Sequence, residues 1–557
     1  MSNVDVDMIV VGSGAGGMAT AITAATHGLS TVILEKSRFW GGSTARSGGG
    51  VWIPGNDVLR AHLPPADAEA ARAYLCAIVG DDVDRRRIDT FIDRGGEALR
   101  HLTENSGLDL EWVRGYSDYL PEESGGSPDG RSCEPRPFDA RRLGDDLATL
   151  QPFYTRTPLN VVVQQSDYRW LSLGTRHWRG PVRALRVGAR TAVGRARGAR
   201  LLGLGGALAG SLMLGVRRAG VPVHLQTAAE KLTMVDGRVA GVVCADGRSF
   251  TARRGVVLAS GGFDHDATMR ARHHRPPAGP ELSLGADTNT GDGIRAAMAA
   301  GADTALMDDA WWAPSIPLPK GPWFALAERS LPRSIMVNGS GKRFMNESLP
   351  YVEATHRILG GHHGQGKGPA DNLPCWLVFD QTYRNRYMFA GKPARATLPA
   401  AWFDSGAVSS AGSITELATA IGVPPDALAR TVGTFNQFAS AGHDPDFGRG
   451  ESAYDRYYAD PANRPNPSLG ELTTPPFYAA RMVPADLGTK GGIVTDEDAR
   501  ALTADRRPIP GLYAVGNASA ALMGHTYAGP GATIGPALVF GYLAALHAAG
   551  SAGSVVS

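Results

Sequence analysis

The sequence predicts an α/β fold in which a second, α+β domain interrupts the first. Three observations lead to this prediction. The chain opens at residues 6–36 with a strand, a Gly-rich turn, a helix and a second strand; a further αβ-rich stretch covers 204–263; and a strand of the same character returns near residue 511. In between, Trp, Pro and Tyr become frequent and the periodicity weakens. The expected segments are the two parts of the outer domain, 1–283 and 484–557, and the inserted domain, 284–483.

The opening unit has the pattern of a Rossmann-like domain. Residues 6–11 form a short apolar run rich in β-branched side chains, as in a buried strand. The Ala-rich stretch that follows predicts a helix ending at Gly28, and residues 30–36 predict the next strand. A β–α–β unit of about thirty residues is how dinucleotide-binding domains begin.

The turn of this unit carries a GxGxxG motif formed by Gly12, Gly14 and Gly17. The first glycine permits the tight turn, the second lets the backbone approach a pyrophosphate, and the third lets helix and strand pack closely. The helix N-terminus offers N–H groups and a positive dipole to the phosphates. Glu35, at the end of the second strand, can accept hydrogen bonds from ribose hydroxyls and would repel a 2′-phosphate. The motif therefore predicts a dinucleotide such as NAD or FAD.

Three further segments favour FAD. Residues 41–52 (GGSTARSGGGVW) have the Gly and Ser density that suits main-chain contacts with a diphosphate. Residues 259–263 (ASGGF) give another strand end with close backbone approach, and residues 511–517 (GLYAVGN) close the domain with the last part of the chain. The residues expected to bind FAD are Gly12, Gly14, Ala15, Gly17, Glu35, Lys36, Gly42, Ser43, Thr44, Ser47, Gly48, Gly49, Gly261, Gly262, Gly516 and Asn517.

Composition argues against several other classes of protein. The net charge of +2 predicts no nucleic-acid partner. The four cysteines have no CxxC spacing, so neither a disulfide framework nor a metal site is expected. The N-terminus has no basic region followed by an apolar stretch, so we expect no signal peptide and a cytoplasmic protein.

One basic segment has two interpretations. Residues 169–200 contain nine arginines together with Trp170 and Trp178, and a Gly/Leu/Ala stretch follows at 201–215. That stretch is shorter than the roughly 20 apolar residues of a membrane span. The first interpretation is a solvated basic helix followed by a core helix. The second is that 169–215 touches a membrane surface and helps to collect an apolar substrate.

The order of these segments resembles the flavoprotein superfamily that includes fumarate reductases and 3-ketosteroid dehydrogenases, over nearly the whole chain. Five strings resemble the 3-ketosteroid Δ1-dehydrogenases: GYSDYLPE (115–122), DDAWWAPS (308–315), GKRFMNESLPYVEA (341–354), GESAYDRYY (450–458) and GHTYAGPGATIGPALVFGY (524–542). The resemblance implies FAD-dependent removal of two hydrogens across C1–C2 of a 3-ketosteroid in steroid catabolism, with a quinone-type electron acceptor.

The resemblance also implies roles for four residues. In this family a proton leaves C2, a hydride passes from C1 to flavin N5, and a tyrosine hydroxyl and a glycine N–H stabilise the enolate on the C3 oxygen. Tyr527 and Gly531 match these donors. Tyr351 matches the family's tyrosine base, and Tyr119 matches the tyrosine that assists it, although Tyr116 lies nearby. A free phenol has a pKa of about 10, so such a base needs a stabilised anion.

Neighbouring residues are open to more than one interpretation. The aromatic residues ahead of the expected base are Trp311, Trp312, Trp323 and Phe324. They could wall a flat apolar cleft for a steroid or belong to a domain core. His525 is expected to be structural, because the resemblance gives it no proton-transfer role. Ala528 stands where many relatives carry proline, which should tune the loop without abolishing function.

Two other functions are consistent with the same residues. A Δ4-(5α)-dehydrogenase of this superfamily would take hydrogens from C4 and C5, and the choice depends on how the steroid is posed. A flavoprotein that binds steroids without catalysis is a more distant alternative. Retention of three tyrosines and Gly531 argues against it.

Overall fold

The computed structural model describes residues 4–154, 160–366 and 368–550. The strands in these ranges are β1 (Val4–Val11), β2 (Thr31–Leu34), β3 (Val51–Trp52), β4 (Leu110–Trp112), β5 (Ser132–Pro135), β6 (Phe138–Asp139), β7 (Leu201–Leu202), β8 (Val223–His224), β9 (Ala229–Val235), β10 (Arg238–Cys244), β11 (Ser249–Leu258), β12 (Thr304–Ala305), β13 (Ala310–Leu318), β14 (Gly321–Phe324), β15 (Ser334–Asn338), β16 (Cys375–Asp380), β17 (Val408–Ala411), β18 (Phe477–Thr489), β19 (Gly492–Ile493), β20 (Arg500–Leu502) and β21 (Pro508–Ala514).

The α-helices in the same ranges are α1 (Ala15–Thr26), α2 (Gly42–Arg46), α3 (Asp57–Arg60), α4 (Asp67–Val79), α5 (Arg85–Asn105), α6 (Gln165–Leu171), α7 (Arg179–Ala196), α8 (Leu204–Arg218), α9 (Ala267–His273), α10 (Asp292–Ala299), α11 (Tyr351–Leu359), α12 (Gln381–Arg386), α13 (Ala400–Asp404), α14 (Ile414–Ala420), α15 (Pro425–Ala441), α16 (Ala453–Tyr457) and α17 (Ile534–Ala549). In the part of the chain that the structure describes, no helix combines the length and the apolarity needed to cross a membrane.

The larger sheet gathers strands from both ends of the chain, as an interrupted α/β domain requires. Its order is β20-β21-β11-β1-β2-β8, with β10 and β9 added beside β11. β1 pairs in parallel with β2 and β11, and β11 pairs in parallel with β21. The antiparallel strands β9, β10 and β11 are connected by Asp-Gly turns at 236–237 and 246–247. The predicted α/β fold is confirmed.

The opening β–α–β unit is confirmed with shifted ends. β1 begins two residues earlier than predicted and β2 covers only Thr31–Leu34. Helix α1 ends at Thr26, because Gly28 adopts a φ of +80° that a right-handed helix cannot contain. The C-terminal helix α17 is almost wholly buried and packs along α1. The apolar stretch after the basic segment is α8, a buried core helix as the first interpretation required.

The smaller main sheet lies in the stretch expected as the insertion. Its order is β14-β13-β18-β16-β15, with β17 beside β18, and every pairing is antiparallel. β18 continues past residue 483 to Thr489 and leads directly to β19, which pairs with β12. This strand therefore carries the chain from the second sheet back toward the first.

Candidate active site

A cavity of about 1550 Å³ opens at the carboxyl ends of the parallel strands, where Val11, Leu34 and Ala259 border it. Open α/β sheets bind ligands at this edge. An ordinary pocket for one small ligand measures roughly 300–1,000 Å³. The cavity therefore has room for a dinucleotide and a second molecule.

The GxGxxG turn brings main chain to the cavity because side chains are excluded there. Gly12 has a φ of +106°, and a Cβ at this position would collide with the Ala259 carbonyl. A Cβ at Gly17 would collide with the Gly12 carbonyl, so Gly17 serves helix–strand packing. Gly14 lies at the N-terminus of α1 and borders the cavity. This backbone cradle is what a diphosphate requires.

Glu35 is buried with one acceptor position to spare. Its Oε2 accepts hydrogen bonds from the Ser13 N–H (3.0 Å) and the Ser13 hydroxyl (2.6 Å), and its Oε1 accepts one from the Ser37 N–H (2.8 Å). Burial raises the pKa of Glu35, and these hydrogen bonds oppose the rise. A carboxylate oxygen has two lone pairs, so Oε1 can accept one more hydrogen bond. The carboxylate borders the cavity, where a ribose hydroxyl would fit it.

The expectation that the first turn of α1 offers its N–H groups to phosphate holds only in part. The Ala15 N–H donates to Thr44 Oγ1 at 2.9 Å, so this group is already used by the protein. The Lys36 ammonium group also makes hydrogen bonds within the protein. Its Nζ lies 2.5 Å from both Thr290 Oγ1 and Asp292 Oδ2.

The polar side chains of the 42–49 loop hold the loop in place. Ser43 Oγ accepts from the Ala286 N–H and from Asn289 Nδ2, both at 2.9 Å. Ser47 Oγ donates to the Thr44 carbonyl at 2.7 Å and accepts from the Gly49 N–H at 3.0 Å. Their side chains therefore fix a Gly-rich main chain against the cavity.

Most of the residues predicted to bind FAD border this one cavity. Those that do so are Gly12, Gly14, Ala15, Glu35, Lys36, Gly42, Ser43, Thr44, Ser47, Gly48, Gly49, Gly261, Gly516 and Asn517. Gly17 and Gly262 do not. A Cβ at Gly262 would collide with Thr489 Oγ1, so this glycine serves the packing of the strand end and not the cavity wall.

Three buried tyrosines, Tyr119, Tyr351 and Tyr527, form a triangle in the cavity wall. The ring centroids of Tyr119 and Tyr351 are 5.5 Å apart, those of Tyr119 and Tyr527 are 5.2 Å apart, and those of Tyr351 and Tyr527 are 5.5 Å apart. Each pair packs edge to face. The structure thus brings together the three tyrosines that the sequence singled out, and all three border the cavity.

Separate elements hold the triangle. Tyr351 is the first residue of α11, and Tyr527 lies in the loop ahead of α17. The Tyr119 N–H donates to the Ala528 carbonyl at 3.0 Å, and the Tyr74 hydroxyl donates to the same oxygen at 2.8 Å. Ala528 therefore acts through its carbonyl, which a proline at this position would keep.

The surroundings of the phenols differ. Burial raises the pKa of Tyr351 well above its usual value, the nearby Tyr527 and Tyr116 raise it further, and a hydrogen bond with Tyr119 lowers it. Burial also raises the pKa of Tyr527, but the hydrogen bond from the Thr533 hydroxyl lowers it, and the neighbouring Tyr351 hydroxyl and Gly531 main chain lower it further. Tyr527 is therefore better suited to donate a hydrogen bond, and Tyr351 depends on Tyr119 to carry negative charge.

Gly531 lies in a tight position at the cavity wall. Its φ is +99°, and a Cβ there would collide with the main chain of Gly50 and Val51. The preceding carbonyl, of Pro530, accepts a hydrogen bond from Ser132 Oγ at 2.6 Å. The loop is thus fixed on both sides, with its backbone facing the cavity.

Tyr116 and Tyr119 both border the cavity, with ring centroids 6.3 Å apart, but their other contacts differ. Tyr116 stacks on Tyr457 with centroids 4.2 Å apart, and its oxygen accepts a hydrogen bond from the Tyr458 hydroxyl at 3.0 Å. It belongs to a second aromatic group beside the triangle, while Tyr119 packs on both Tyr351 and Tyr527.

The aromatic residues ahead of Tyr351 divide between cavity and core. Trp311 borders the cavity, packs on Tyr527 at 4.8 Å and donates from Nε1 to Asn517 Oδ1 at 3.2 Å. Trp323 and Phe324 border it too. Trp312 lies behind the wall and donates from Nε1 to Asp309 at 2.6 Å.

One residue near the site does not border the cavity, and several residues that were not predicted do. His525 pairs with Asp82 at 2.7 Å and Gln365 at 3.0 Å and does not border the cavity. Several polar residues that the sequence did not single out also border the cavity, among them Gln165, Tyr168, Ser260, Asn289, Tyr458 and Thr533. Tyr458 lies in one of the quoted strings, and Thr533 follows Gly531 closely, but neither position had a pattern of its own.

Helix α7 forms part of the cavity wall. Ala184, Val187 and Gly188 on this helix border the cavity. Its other face exposes apolar side chains, among them Leu185 at 73% and, just before the helix, Trp178 at 66%. The basic segment therefore exposes both apolar and basic side chains on its outer face, and its inner face forms part of the cavity wall.

The chain is similar to a known family of proteins over most of its length. A model of the FAD binding domain family matches residues 7–534. A 3-oxosteroid 1-dehydrogenase of Mycobacterium tuberculosis (strain ATCC 25618 / H37Rv) is 56% identical over 98% of this chain and 99% of its own. One of Mycolicibacterium smegmatis is 54% identical over 99% of this chain and 98% of its own.

A solved structure agrees with these relatives. The 3-ketosteroid delta1-dehydrogenase from Sterolibacterium denitrificans, in complex with 1,4-androstadiene-3,17-dione, has a TM-score of 0.91 and 37% identity, over 98% of this chain and 100% of that one. The prediction of FAD as cofactor is confirmed by the family match, and the glycine cradle and Glu35 fit it. The chain belongs to the FAD-dependent oxidoreductases, in the 3-oxosteroid 1-dehydrogenase family.

Proposed function

We propose that this chain introduces a C1–C2 double bond into the A ring of 3-ketosteroids. One observation carries the proposal: Tyr119, Tyr351 and Tyr527 form a triangle, with Gly531 nearby, on the wall of the cavity that also holds the FAD-binding residues. The names of the most similar relatives support the same reaction.

Tyr351 takes the proton from C2 in this proposal. The proton is acidic because C2 lies next to the C3 carbonyl, and the base must lie within hydrogen-bond reach of it. Burial opposes the charge that Tyr351 develops, and the hydrogen bond with Tyr119 offsets part of this cost. Tyr119 can also receive and pass on the proton, since its hydroxyl interacts with that of Tyr351.

Tyr527 and Gly531 bind the C3 oxygen as it gains enolate charge. Donors fixed in advance in a buried site stabilise such a charge far better than water does. The Tyr527 ring is held by Trp311, Tyr119 and Tyr351, and Gly531 is held by Gly50 and Val51. FAD held by the glycine cradle and Glu35 would supply the acceptor for the hydride that leaves C1. The electron pair of the broken C2–H bond then forms the double bond between C1 and C2.

The apolar wall sets the class of substrate. Trp311, Trp323 and Phe324 border the cavity near the tyrosines, and the Phe324 ring lies 5.0 Å from Tyr351. Flat aromatic surfaces suit a rigid apolar ring system. We infer that the segment predicted at 284–483, which supplies these residues and Tyr351, is the substrate domain. We also infer a quinone-type electron acceptor and a role in steroid catabolism, on the family resemblance alone.

We further infer that the outer face of α7 contacts a membrane surface. Trp178, Leu185 and Val193 are exposed on this side, with the exposed arginines Arg179 and Arg186 beside them. Apolar and basic side chains on one exposed helix suit the interface of an anionic bilayer. Because the inner face of α7 borders the cavity, such a contact would bring an apolar substrate close to the cavity.

Product analysis tests the proposed reaction against its alternatives. The protein is mixed without oxygen with 4-androstene-3,17-dione, and flavin absorbance and steroid products are followed. Bleaching of the flavin with formation of the 1,4-diene supports the proposal. Bleaching only by a 5α-saturated 3-ketosteroid, with the 4-ene as product, would assign the Δ4-(5α) reaction. Binding without bleaching by either would leave a steroid-binding flavoprotein.

A further inference from the structure

Thr533 contacts the phenol that is proposed to bind the C3 oxygen. It is the residue just before α17, and it borders the cavity. Its hydroxyl donates a hydrogen bond to the oxygen of Tyr527 at 3.0 Å. The sequence analysis assigned no role to this threonine.

This contact restricts where the Tyr527 proton can point. A tyrosine hydroxyl has one donor and two acceptor positions. Because one acceptor position is filled by Thr533, the Tyr527 proton is directed away from Thr533 and toward the rest of the cavity wall. A hydroxyl that accepts a hydrogen bond is also polarised into a stronger donor.

The backbone holds Thr533 in a fixed place. The Gly531 carbonyl accepts hydrogen bonds from the Gly535 N–H at 2.8 Å and from the Trp52 N–H at 3.2 Å. A Cβ at Gly535 would collide with the Trp52 carbonyl, so the start of α17 lies hard against β3. The Thr533 hydroxyl is therefore supported by a rigid turn.

Thr533 lowers the energy of charge on Tyr527. Burial raises the pKa of Tyr527, and the hydrogen bond from the Thr533 hydroxyl is the first of the effects that lower it. A phenol that is easier to ionise is also a stronger hydrogen-bond donor to a developing enolate.

We propose that Thr533 is a positioning residue that orients and polarises the Tyr527 hydroxyl toward the C3 oxygen of the substrate. This inference rests on the proposed function of Tyr527. It predicts that the side-chain hydroxyl of Thr533, and not its shape, determines how well the site stabilises an oxyanion.

Three variants separate the hydroxyl from the shape. Thr533→Val keeps the shape and removes the hydroxyl, and Thr533→Ser keeps the hydroxyl. Thr526→Val is the matched control, because Thr526 lies in the same loop and its hydroxyl donates to the Met523 carbonyl at 3.0 Å. The loss of one hydrogen bond should lower kcat of Thr533→Val about tenfold, with KM little changed. Thr533→Ser should recover most of the rate, and Thr526→Val should match the parent protein.

A second measurement reads the oxyanion directly. Equilenin, a steroid with an ionisable naphthol A ring, is bound to each FAD-loaded variant, and its fluorescence gives the ionised fraction. We expect a smaller ionised fraction in Thr533→Val and recovery in Thr533→Ser. If Thr533→Val loses its FAD, Thr533→Ala is compared with Thr533→Ser in its place.

The outcomes distinguish this inference from the proposed function. Equal kcat and equal ionised fraction in Thr533→Val and the parent protein would overturn the positioning role. So would a failure of Thr533→Ser to recover either quantity. A parent protein that ionises equilenin but does not turn over any 3-ketosteroid would count against the proposed function, while the equilenin comparison would still test Thr533.

Discussion

The ring of Tyr119 packs edge-on against the ring of Tyr351, with centroids 5.5 Å apart, although the two residues come from distant parts of the chain. Hydrogen bonding between them lowers the pKa of Tyr351, against the larger effect of burial. A phenol buried in this way cannot ionise easily by itself. The pair therefore explains why a second tyrosine stands beside the proposed base.

The pH dependence of turnover tests this pairing. A base acts in its deprotonated form, and the raised pKa of Tyr351 places the rise of activity with pH on the alkaline side. Tyr119→Phe removes a hydrogen bond that lowers this pKa, so the rise should move to still higher pH. At a fixed pH below the rise, kcat should fall about tenfold for each pKa unit of movement. An unchanged pH profile in Tyr119→Phe would rule out this role.

Tyr527→Phe tests the oxyanion site. Removing one donor from such a site lowers kcat by about 10²–10³-fold. Steady-state kinetics on 4-androstene-3,17-dione should show this loss mainly in kcat. Tyr513→Phe is the control, because the Tyr513 hydroxyl pairs with His547 at 2.9 Å away from the cavity. Equal losses in the two variants would mean that Tyr527 has only a structural effect.

Glu35→Gln tests the nucleotide end of the cavity. The Ser13 and Ser37 groups that surround Glu35 all donate hydrogen bonds to it, and an amide nitrogen cannot accept them. The amide also replaces the charged acceptor that faces the ribose hydroxyl, and losing a hydrogen bond to a charged group costs about 1.5–3 kcal/mol, so FAD should bind roughly 10–100-fold more weakly. FAD release measured by absorbance checks this. The exposed Glu416→Gln should retain its FAD, and equal retention by Glu35→Gln would contradict the assignment.

Vesicle binding tests the outer face of α7. Leu185→Asp places a charge on the exposed apolar face and should weaken sedimentation with phosphatidylglycerol vesicles roughly tenfold or more. Binding by the parent protein should also weaken in high salt. Met234→Asp, which changes another exposed apolar residue, should bind as the parent does. Equal binding by Leu185→Asp and Met234→Asp would remove the case for membrane contact at this helix.

Local patterns predicted the nucleotide-binding part of the fold well. The strand, glycine turn and helix around Gly12 follow from residue spacing. Glu35 could be placed because it ends a strand next to the turn. These features depend on contacts close in sequence or on one sheet edge.

Contacts between distant segments could not be read from such patterns. Trp311 and Trp312 are adjacent on β13, and neighbouring strand residues face opposite sides, so the sequence did not decide which one borders the cavity. Gly261 and Gly262 share one motif, yet only Gly261 borders the cavity. The capping of the Ala15 N–H by Thr44 likewise depends on tertiary structure. The roles proposed for the tyrosines came from family resemblance, since nothing in their local sequence marks a base.

The most direct test of the account is the rate of anaerobic flavin bleaching by 4-androstene-3,17-dione in Tyr351→Phe. Tyr383→Phe is the control, because Tyr383 is also buried and its hydroxyl donates to the Glu328 carbonyl, at 3.0 Å. We expect Tyr351→Phe to retain FAD and bind the steroid, but to bleach at least about 10²-fold more slowly, the usual contribution of a general base. A bleaching rate within about twofold of the Tyr383→Phe control would contradict the assignment of Tyr351 as the base.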